Sequence, residues 1–449
     1  MLSVSGSSAV AMHNVNVVAT LRWLCKHHRE TRVRGTPNVK SPRRLKHENR
    51  RTRTGQHLLA ASIAACLCLP ATAEDARSIG TNGTAGSQGF HPYASLGYGY
   101  DSNIYRIDDA APSIGERSDQ YAMLQAGFDF NHEPGLQKFQ LNAEIGHTFF
   151  NEHDDLDYTG GRALARWQWE TTEGATGDLG YRFKRSLRDF ANQDRLDKVK
   201  DIRSEHTLFA SGNLDVAEHW RVGMRGALAD IGYSETEALD LQRTTLGVRA
   251  DYLSGAGNRV GLDAEYVLGR YDSNEGADYD EYTVGPALDW QLTDRTSVSA
   301  IVGYTVRDND SPLREDYDGI TGKLEVDVAG NGGPALTATV YRDISNIGDE
   351  VAEYAVVNGI SVEPRWQLSS AVELRLEARY ENRDFQVPDD ILIPDARDDD
   401  VYGGGAFVDW NVRPNVTVSL GVDTEQRSSS REFRDYDFVR AELQVTARF

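Results

Sequence analysis

No cysteine follows Cys68 in this chain of 449 residues; the three that exist are Cys25, Cys66 and Cys68. Disulfides and thiolate metal sites are thereby excluded from everything after residue 73. Long apolar runs are missing too. The longest apolar stretch, Leu58 to Leu69, is too short for a membrane-spanning helix, which needs about 20 such residues. Positive charge is scarce. The chain has 48 Lys+Arg against 69 Asp+Glu, a net of −21. Residues 1–73 hold 12 of the basic and 2 of the acidic residues, which leaves 36 against 67, a net of −31, for the remainder. Such acidity disfavours nucleic acid as a partner. The later histidines (His91, His132, His147, His153, His206 and His219) are scattered, with no HExxH and no G-x-S-x-G. The pattern predicts no enzyme, no cofactor and no metal site.

The N-terminal region carries an export signature. Arg50, Arg51 and Arg53 precede the apolar stretch, and Pro70-Ala71-Thr72-Ala73 ends it. A basic flank, a short apolar core and an Ala-x-Ala ending predict a signal peptide over 50–73, cleaved after Ala73. Ile63-Ala64-Ala65-Cys66 resembles a lipoprotein box, but Leu67-Cys68-Leu69 continues the run beyond it. Residues 1–49 then read as an extension from a start codon placed too early. Residues 74–89, rich in Gly, Ser and Thr, read as a flexible periplasmic lead-in.

From Phe90 onward the pattern has period two. Phe139, Leu141, Ala143 and Ile145 alternate with Gln140, Asn142, Glu144 and Gly146. Val372, Leu374, Leu376, Ala378 and Tyr380 alternate with Glu373, Arg375, Glu377, Arg379 and Glu381. A helix would scatter those charges; a strand places them all on one face. Segments of this kind recur about 18 times over 90–449, with 16 as the alternative count. The connections alternate between short turns, such as Thr172-Glu173-Gly174 and Arg413-Pro414-Asn415, and long polar loops. The expected fold is all-β: a transmembrane antiparallel up-and-down barrel, with turns in the periplasm and loops outside.

Aromatic placement fits that reading. Trp167, Trp169, Trp220, Trp290, Trp366 and Trp410 lie close to short turns. Tyr98, Tyr100, Tyr158, Tyr233, Tyr271, Tyr317, Tyr341, Tyr354, Tyr380, Tyr402 and Tyr436 lie beside long loops. Two girdles one strand length apart match the two membrane interfaces. A lumen of this width holds water. The expected lining includes Gln140, Asn142, Glu144, Arg249, Asp251, Asp263, Glu265, Glu373, Arg375, Glu377 and Arg379, which is mixed in sign. Mixed charge suits a hydrated polar cargo; the bland alternative is that these groups only solvate the wall and pair across strands. Acidic stretches such as Asp154-Asp155-Leu156-Asp157, Asp278-Tyr279-Asp280-Glu281 and Asp398-Asp399-Asp400 read as solvated loops, with divalent-cation binding as the alternative.

Gly97-Tyr98-Gly99-Tyr100 then reads as the outer end of the first strand, with both tyrosines at the interface and both glycines in the lumen. Asp101-Ser102-Asn103 turns the chain into the first loop. Tyr271-Asp272-Ser273-Asn274 repeats the device at another strand end. With Pro92-Tyr93 and Tyr105-Arg106, the stretch His91 to Arg106 resembles the start of the EpsL-like or porin-2-like family of outer-membrane β-barrels associated with exopolysaccharide operons. The alternating C-terminal strand ending on Phe449 resembles the signal read by the barrel-assembly machinery. The resemblance implies an outer-membrane setting among lipid and lipopolysaccharide, and an exit conduit for a secreted polysaccharide cargo. It also implies a periplasmic polysaccharide-export protein as partner, and no catalytic residues. A general porin for small polar solutes is the alternative, and predicts a loop folded inward, 101–117 or 385–400. A structural or adhesive surface barrel is a further one.

Overall fold

The structure, a computed structural model, describes residues 88–111, 115–193, 198–273, 275–310, 316–330, 333–346, 354–386 and 397–449. The expected leader and extension, and residues 74–87 of the lead-in, lie outside the described residues.

Eighteen strands form one closed sheet. They are β1 (Gly89–Asp101), β2 (Asp119–His132), β3 (Lys138–Phe150), β4 (Tyr158–Glu170), β5 (Thr176–Leu187), β6 (Ile202–Ala217), β7 (Trp220–Tyr233), β8 (Leu241–Leu253) and β9 (Arg259–Tyr271). The second half comprises β10 (Tyr279–Thr293), β11 (Thr296–Asn309), β12 (Tyr317–Val328), β13 (Ala335–Ser345), β14 (Tyr354–Ser369), β15 (Val372–Gln386), β16 (Arg397–Arg413), β17 (Val416–Ser429) and β18 (Tyr436–Arg448). Each strand pairs antiparallel with its sequence neighbours, and β1 closes the ring on β18, from Tyr93↔Arg448 to Asp101↔Arg440. Closure leaves no sheet edge to bond with lipid, which is the condition for crossing a bilayer with strands.

Burial alternates along the strands as the sequence does. In β1, Leu96, Tyr98 and Tyr100 are exposed on the outside, while Tyr93, Ser95, Gly97, Gly99 and Asp101 are buried towards the lumen. Exposed Ile145, Leu262, Val284 and Ile320 belong to the same lipid-facing band. Lumen glycines make room for rings on the next strand: a side chain at Gly99 would collide with the Tyr121 ring, and one at Gly359 with the Tyr341 ring. Strand and ring thus interlock where the wall must curve.

The short-turn end repeats one local device. Trp290-Gln291-Leu292-Thr293 and Trp366-Gln367-Leu368-Ser369 each run into a two-residue turn across a register shift. The Gln291 side-chain amide donates to the Thr293 and Thr296 carbonyls at 2.6 and 3.3 Å. That of Gln367 does the same to Ser369 and Val372 at 2.7 and 3.4 Å. Tryptophan faces lipid while glutamine fills the bulge beneath it.

Candidate pore and its constriction

The alternation puts all eleven residues expected to line the pore on the lumen face. Gln140, Asn142 and Glu144 line a cavity of about 970 Å3 against β1–β5 and β18. Arg249, Asp263, Glu265, Glu377 and Arg379 line a second, of about 720 Å3, against β5–β17. Asp251 shares the face of Arg249, and Glu373 and Arg375 that of Glu377.

The charges are largely paired within the wall. Arg225 holds Asp263 and Glu265; Arg249 bridges Asp251 at 2.7 Å and Asp289 at 2.6 Å. Arg162 meets Glu144 at 3.1 Å, Arg375 meets Glu377 at 3.4 Å, and Arg379 meets Glu425. Asn142 donates to Asp129 at 2.5 Å. The first cavity is near balance, with eight Lys/Arg to six Asp/Glu, while the second holds twelve carboxylates to six cations; the ion pairs moderate that excess without cancelling it. More acid lies on outward strand ends such as Asp280, Asp318 and Asp400. There outward tyrosines bond to it: Tyr380 donates to Asp400 at 2.8 Å, Tyr266 to Asp280 at 3.3 Å and Tyr304 to Asp318.

The girdles themselves need one correction. Trp167, Trp220, Trp290 and Trp410 are exposed on the outside, and Trp169 and Trp366 share their faces. Tyr98, Tyr100 and Tyr402 are exposed at the other end. Tyr341, Tyr354 and Tyr436, however, turn inward: Tyr341 donates to Glu381 at 2.7 Å, and the other two are buried; so do Tyr158, on the first cavity, Tyr233 and Tyr271, on buried Tyr279, and Tyr317, on Tyr354. Beyond the membrane a strand's lumen face is covered by loops, so an aromatic there is as well placed inside as out. The acidic stretches also differ from solvated loops. Leu156 and Tyr279 are buried, and Asp399 is buried against Arg397 at 2.5 Å and Arg427 at 3.8 Å.

Two loops fold over the outer mouth. The first follows β1, and Asp101-Ser102-Asn103 positions it. Asp101 accepts from the Arg106 guanidinium at 2.8 and 2.7 Å. Ser102 N–H donates to the Val439 carbonyl at 3.1 Å, extending the β1–β18 ladder by a residue. The Asn103 amide donates to Ile107 O at 2.9 Å and Asp437 O at 3.1 Å. Arg106, at φ 54°, is left-handed and held there, with its guanidinium carbon 3.5 Å above the Phe438 ring. Ile104, Tyr105 and Ile107 are thereby turned inward, into an apolar cluster with Leu156 and Phe190. The second copy of the motif works differently: Asp272 accepts from Gln242 at 3.2 Å and Ser273 donates to Glu237 O at 2.9 Å, so no inward anchor forms; Asn274 lies outside the described residues.

The second covering loop joins β5 to β6. Phe190–Asn192 form a 3-10 turn capped by Asp189, whose carboxylate accepts from Ala191 N–H at 2.9 Å. Phe190 packs edge-on against Tyr105, ring centres 5.2 Å apart. The loop then reaches β17 and its following turn. Arg427 donates to Ala191 O at 2.8 Å, and Arg434 to Gln193 O at 2.7 Å. The chord from β5 to β17 covers the mouth over β1–β4. Of the two loops the general-porin alternative named, the described part of 101–117 turns Ile104, Tyr105 and Ile107 inward; residues 112–114 of it and 387–396 of the other lie outside the described residues.

Buried arginines are what the sequence reading missed. Arg106, Arg307, Arg397 and Arg427 stack on Phe438, Tyr279, Phe385 and Tyr436 at 3.5, 3.6, 4.1 and 4.4 Å. They form a collar around the inner side of the outer mouth. A guanidinium over a ring, with its N–H groups on carboxylates or carbonyls, is one of the few ways to bury this charge. For Arg307, Arg397 and Arg427 the available signal was an arginine at the outer end of a strand, on the lumen parity; Arg106 lies in the loop after β1.

The family described as "Putative beta-barrel porin 2" matches residues 79–449. No curated protein matches the chain. Among solved structures, OccAB3 of Acinetobacter baumannii is similar at 8% identity and a TM-score of 0.45, covering 80% of this chain and 99% of that one. The outer membrane protein opdK of Pseudomonas aeruginosa is similar at 9% identity and a TM-score of 0.44, with 80% and 99% covered. OpdL of the same organism stands at 12% and 0.42, with 80% and 98% covered. With a closed 18-stranded wall, a hydrated lumen and this match over nearly all of the barrel, the chain belongs to the beta-barrel porin 2 family and is a porin-like barrel of the bacterial outer membrane.

Proposed function

We propose that the barrel is a passive diffusion channel for small polar solutes of low net charge. The observation that carries this is the pair of loops, after β1 and after β5, latched across the outer mouth by Arg106, Arg427 and Arg434. They bound the first lumen cavity, of about 970 Å3, beside the second, of about 720 Å3; each has room for a solute of a few hundred daltons. The ion pairs moderate the field of the lining, which keeps an excess of carboxylates in the second cavity. Exit of an exopolysaccharide, with its periplasmic export partner, is the reading the resemblance implied. It has less support here. A sliding polymer needs exposed ring faces, and lumen rings such as Tyr93 and Tyr121 are buried, their hydroxyls tied to Glu144 and Glu442.

Proteoliposome swelling and planar-bilayer conductance test the proposal. The expected result is a stably open, weakly ion-selective channel that passes arabinose faster than raffinose. Deleting the gene is expected to leave secreted polysaccharide unchanged. No arabinose flux, together with loss of extracellular polymer and its accumulation in the periplasm, would return the reading to the export conduit.

A further inference from the structure

Outward charge is spread unevenly around the wall. Near the loop end Asp230, Asp280, Asp308, Asp318, Asp400 and Asp437 face outward on β7, β10, β11, β12, β16 and β18. From β1 to β6 no strand turns a carboxylate outward in its outer half. That sector turns out Arg185 on β5 instead, flanked by His147 on β3 and His206 on β6. Lys184 and Ser186, beside Arg185 in the chain, take the lumen side. Arg185 pairs with Gly161 and Ser204, on the face of exposed Leu179 and Tyr181.

Two of these groups meet at one residue. The β4–β5 ladder ends at Gly161↔Arg185, and the Thr159 carbonyl beyond it accepts from Arg185 Nε at 3.3 Å. On its other side Thr159 pairs with His147, and its hydroxyl bonds Nδ1 of that ring at 2.8 Å. Thr159 thus holds a guanidinium and an imidazole together on the outer face. Among the described residues no carboxylate lies against Arg185, which leaves its two Nη groups to donate outward. Arg270, outward on β9, is engaged instead by Asp280 at 2.6 Å. The carboxylate of Asp157 accepts from Phe150 N–H at 2.7 Å, while Asp154 and Asp155 stand exposed in the loop above. Asp230 pairs with His206, two strands from Arg185. Arg185 stands two residues short of the outer end of β5, and His147 and Tyr98 three short of those of β3 and β1. The patch is therefore level with the outer aromatic girdle, where lipid head groups lie. Below it Gly161 and Ala163 form a low strip between Ile145 and Phe183.

We propose that this patch binds a phosphorylated lipid of the outer leaflet, its phosphate on Arg185 and His147 and its acyl chains along β4. A guanidinium pairs with phosphate oxygens two at a time. With the Thr159 hydroxyl donating to Nδ1, Nε2 of His147 carries the ring hydrogen and donates to the same phosphate. Carboxylates such as Asp280 and Asp318 meet a phosphate only through divalent cations; this patch needs none. The proposal is independent of what passes through the lumen.

Native mass spectrometry of the whole barrel in maltoside micelles, with diphosphorylated lipid A as probe and EDTA present, tests this. The wild type is expected to retain one lipid A, and Arg185→Gln to bind it about tenfold more weakly. Arg185→Lys should keep most of the affinity, and Arg270→Gln should match the wild type. Lipid A stripped of both phosphates should bind the wild type no better than Arg185→Gln binds the intact lipid. Equal binding by the wild type and Arg185→Gln, or of intact and stripped lipid by the wild type, would reduce the patch to ordinary lipid contact and overturn the proposal. Displacement of the lipid by millimolar inorganic phosphate would overturn it too, by making the ligand a soluble anion. Binding that appears only when Mg2+ replaces EDTA would move the lipid to the acidic sector. The stripped-lipid comparison uses the wild type alone, so it decides the matter even where Arg185→Gln fails to fold.

Discussion

At the short-turn end, Gly174 closes a turn with its N–H on Thr171 O at 3.1 Å, and Thr171 N–H returns to Ala175 O at 2.8 Å. At the outer end, Arg427 latches onto Ala191, 236 positions away in the chain. One end is a set of short turns beneath a tryptophan girdle, each closed on itself and tied at most to the next hairpin, as Leu253 N–H is to His219 O at 2.8 Å. The other is a single nonlocal assembly of loops, rings and buried guanidiniums. On the proposed reading, function separates along the same line, with the loop end setting what passes.

Removing the covering loop should break the comparison most visibly. Replacing residues 189–199 by a short Gly-Ser linker takes away Phe190, Gln193 and the acceptors of Arg427 and Arg434. Single-channel conductance is expected to rise at least twofold, with raffinose approaching arabinose in swelling rate. Unchanged conductance would mean that the mouth is narrowed elsewhere.

A change at the turn end should do the reverse. Gly135, Gly174 and Gly257 have φ of 65°, 86° and 81°, and nothing lies near where a side chain would go. The penalty at such a site is purely backbone. Gly174→Val is expected to lose about 1–2 kcal/mol of stability in urea unfolding from detergent micelles, with conductance unaltered. Smaller still, Gln367→Ala removes the bulge clamp and should lose about 1 kcal/mol; the same assay reads it, and a neutral result would make the Trp-Gln-Leu-Ser repeat a matter of lipid contact alone.

What was legible in the sequence follows the same division. Strand existence and facing depend on residues two apart, so the eighteen strands and the lumen parity of Glu144, Arg249 or Glu377 could be read directly. Strand ends at the outer side could not. β15 runs to Gln386 and β17 to Ser429, where the apolar alternation has faded into Asn382-Arg383-Asp384 and Glu425-Gln426-Arg427 while the ladder continues. Which carboxylate holds which arginine depends on register between strands, as with Arg249 reaching Asp289. Tyr436 reads as a girdle residue until β17 is laid beside it and Glu425 accepts its hydroxyl. The covering role of 188–193 was invisible because its partners, Arg427 and Arg434, are set by closure of the ring.

The smallest effect expected sharpens the outer end alone. Lys198 lies in the β5–β6 loop, where its Nζ donates to Phe190 O at 2.9 Å and to Gln193 O. Burial pushes its ammonium down from the ordinary 10.5 to about 7; Arg427, Arg397 and Arg188 add to that, and Asp189 opposes it. A neutral amine has two hydrogens for those two carbonyls, so deprotonation keeps both bonds while removing a buried charge among arginines. With the loop undocked, the amine titrates near 10.5 and binds the proton that the docked form gives up. Docking therefore strengthens as pH rises from about 7 towards 10.5, and at pH 6 carries the full penalty of a buried ammonium. Mean conductance should fall modestly between pH 6 and pH 9, and Lys198→Met should flatten that response without altering swelling rates at pH 9. A conductance that climbs with pH, or the same response in Lys198→Met, would place the pH sensitivity outside this loop and leave its latch to the arginines alone.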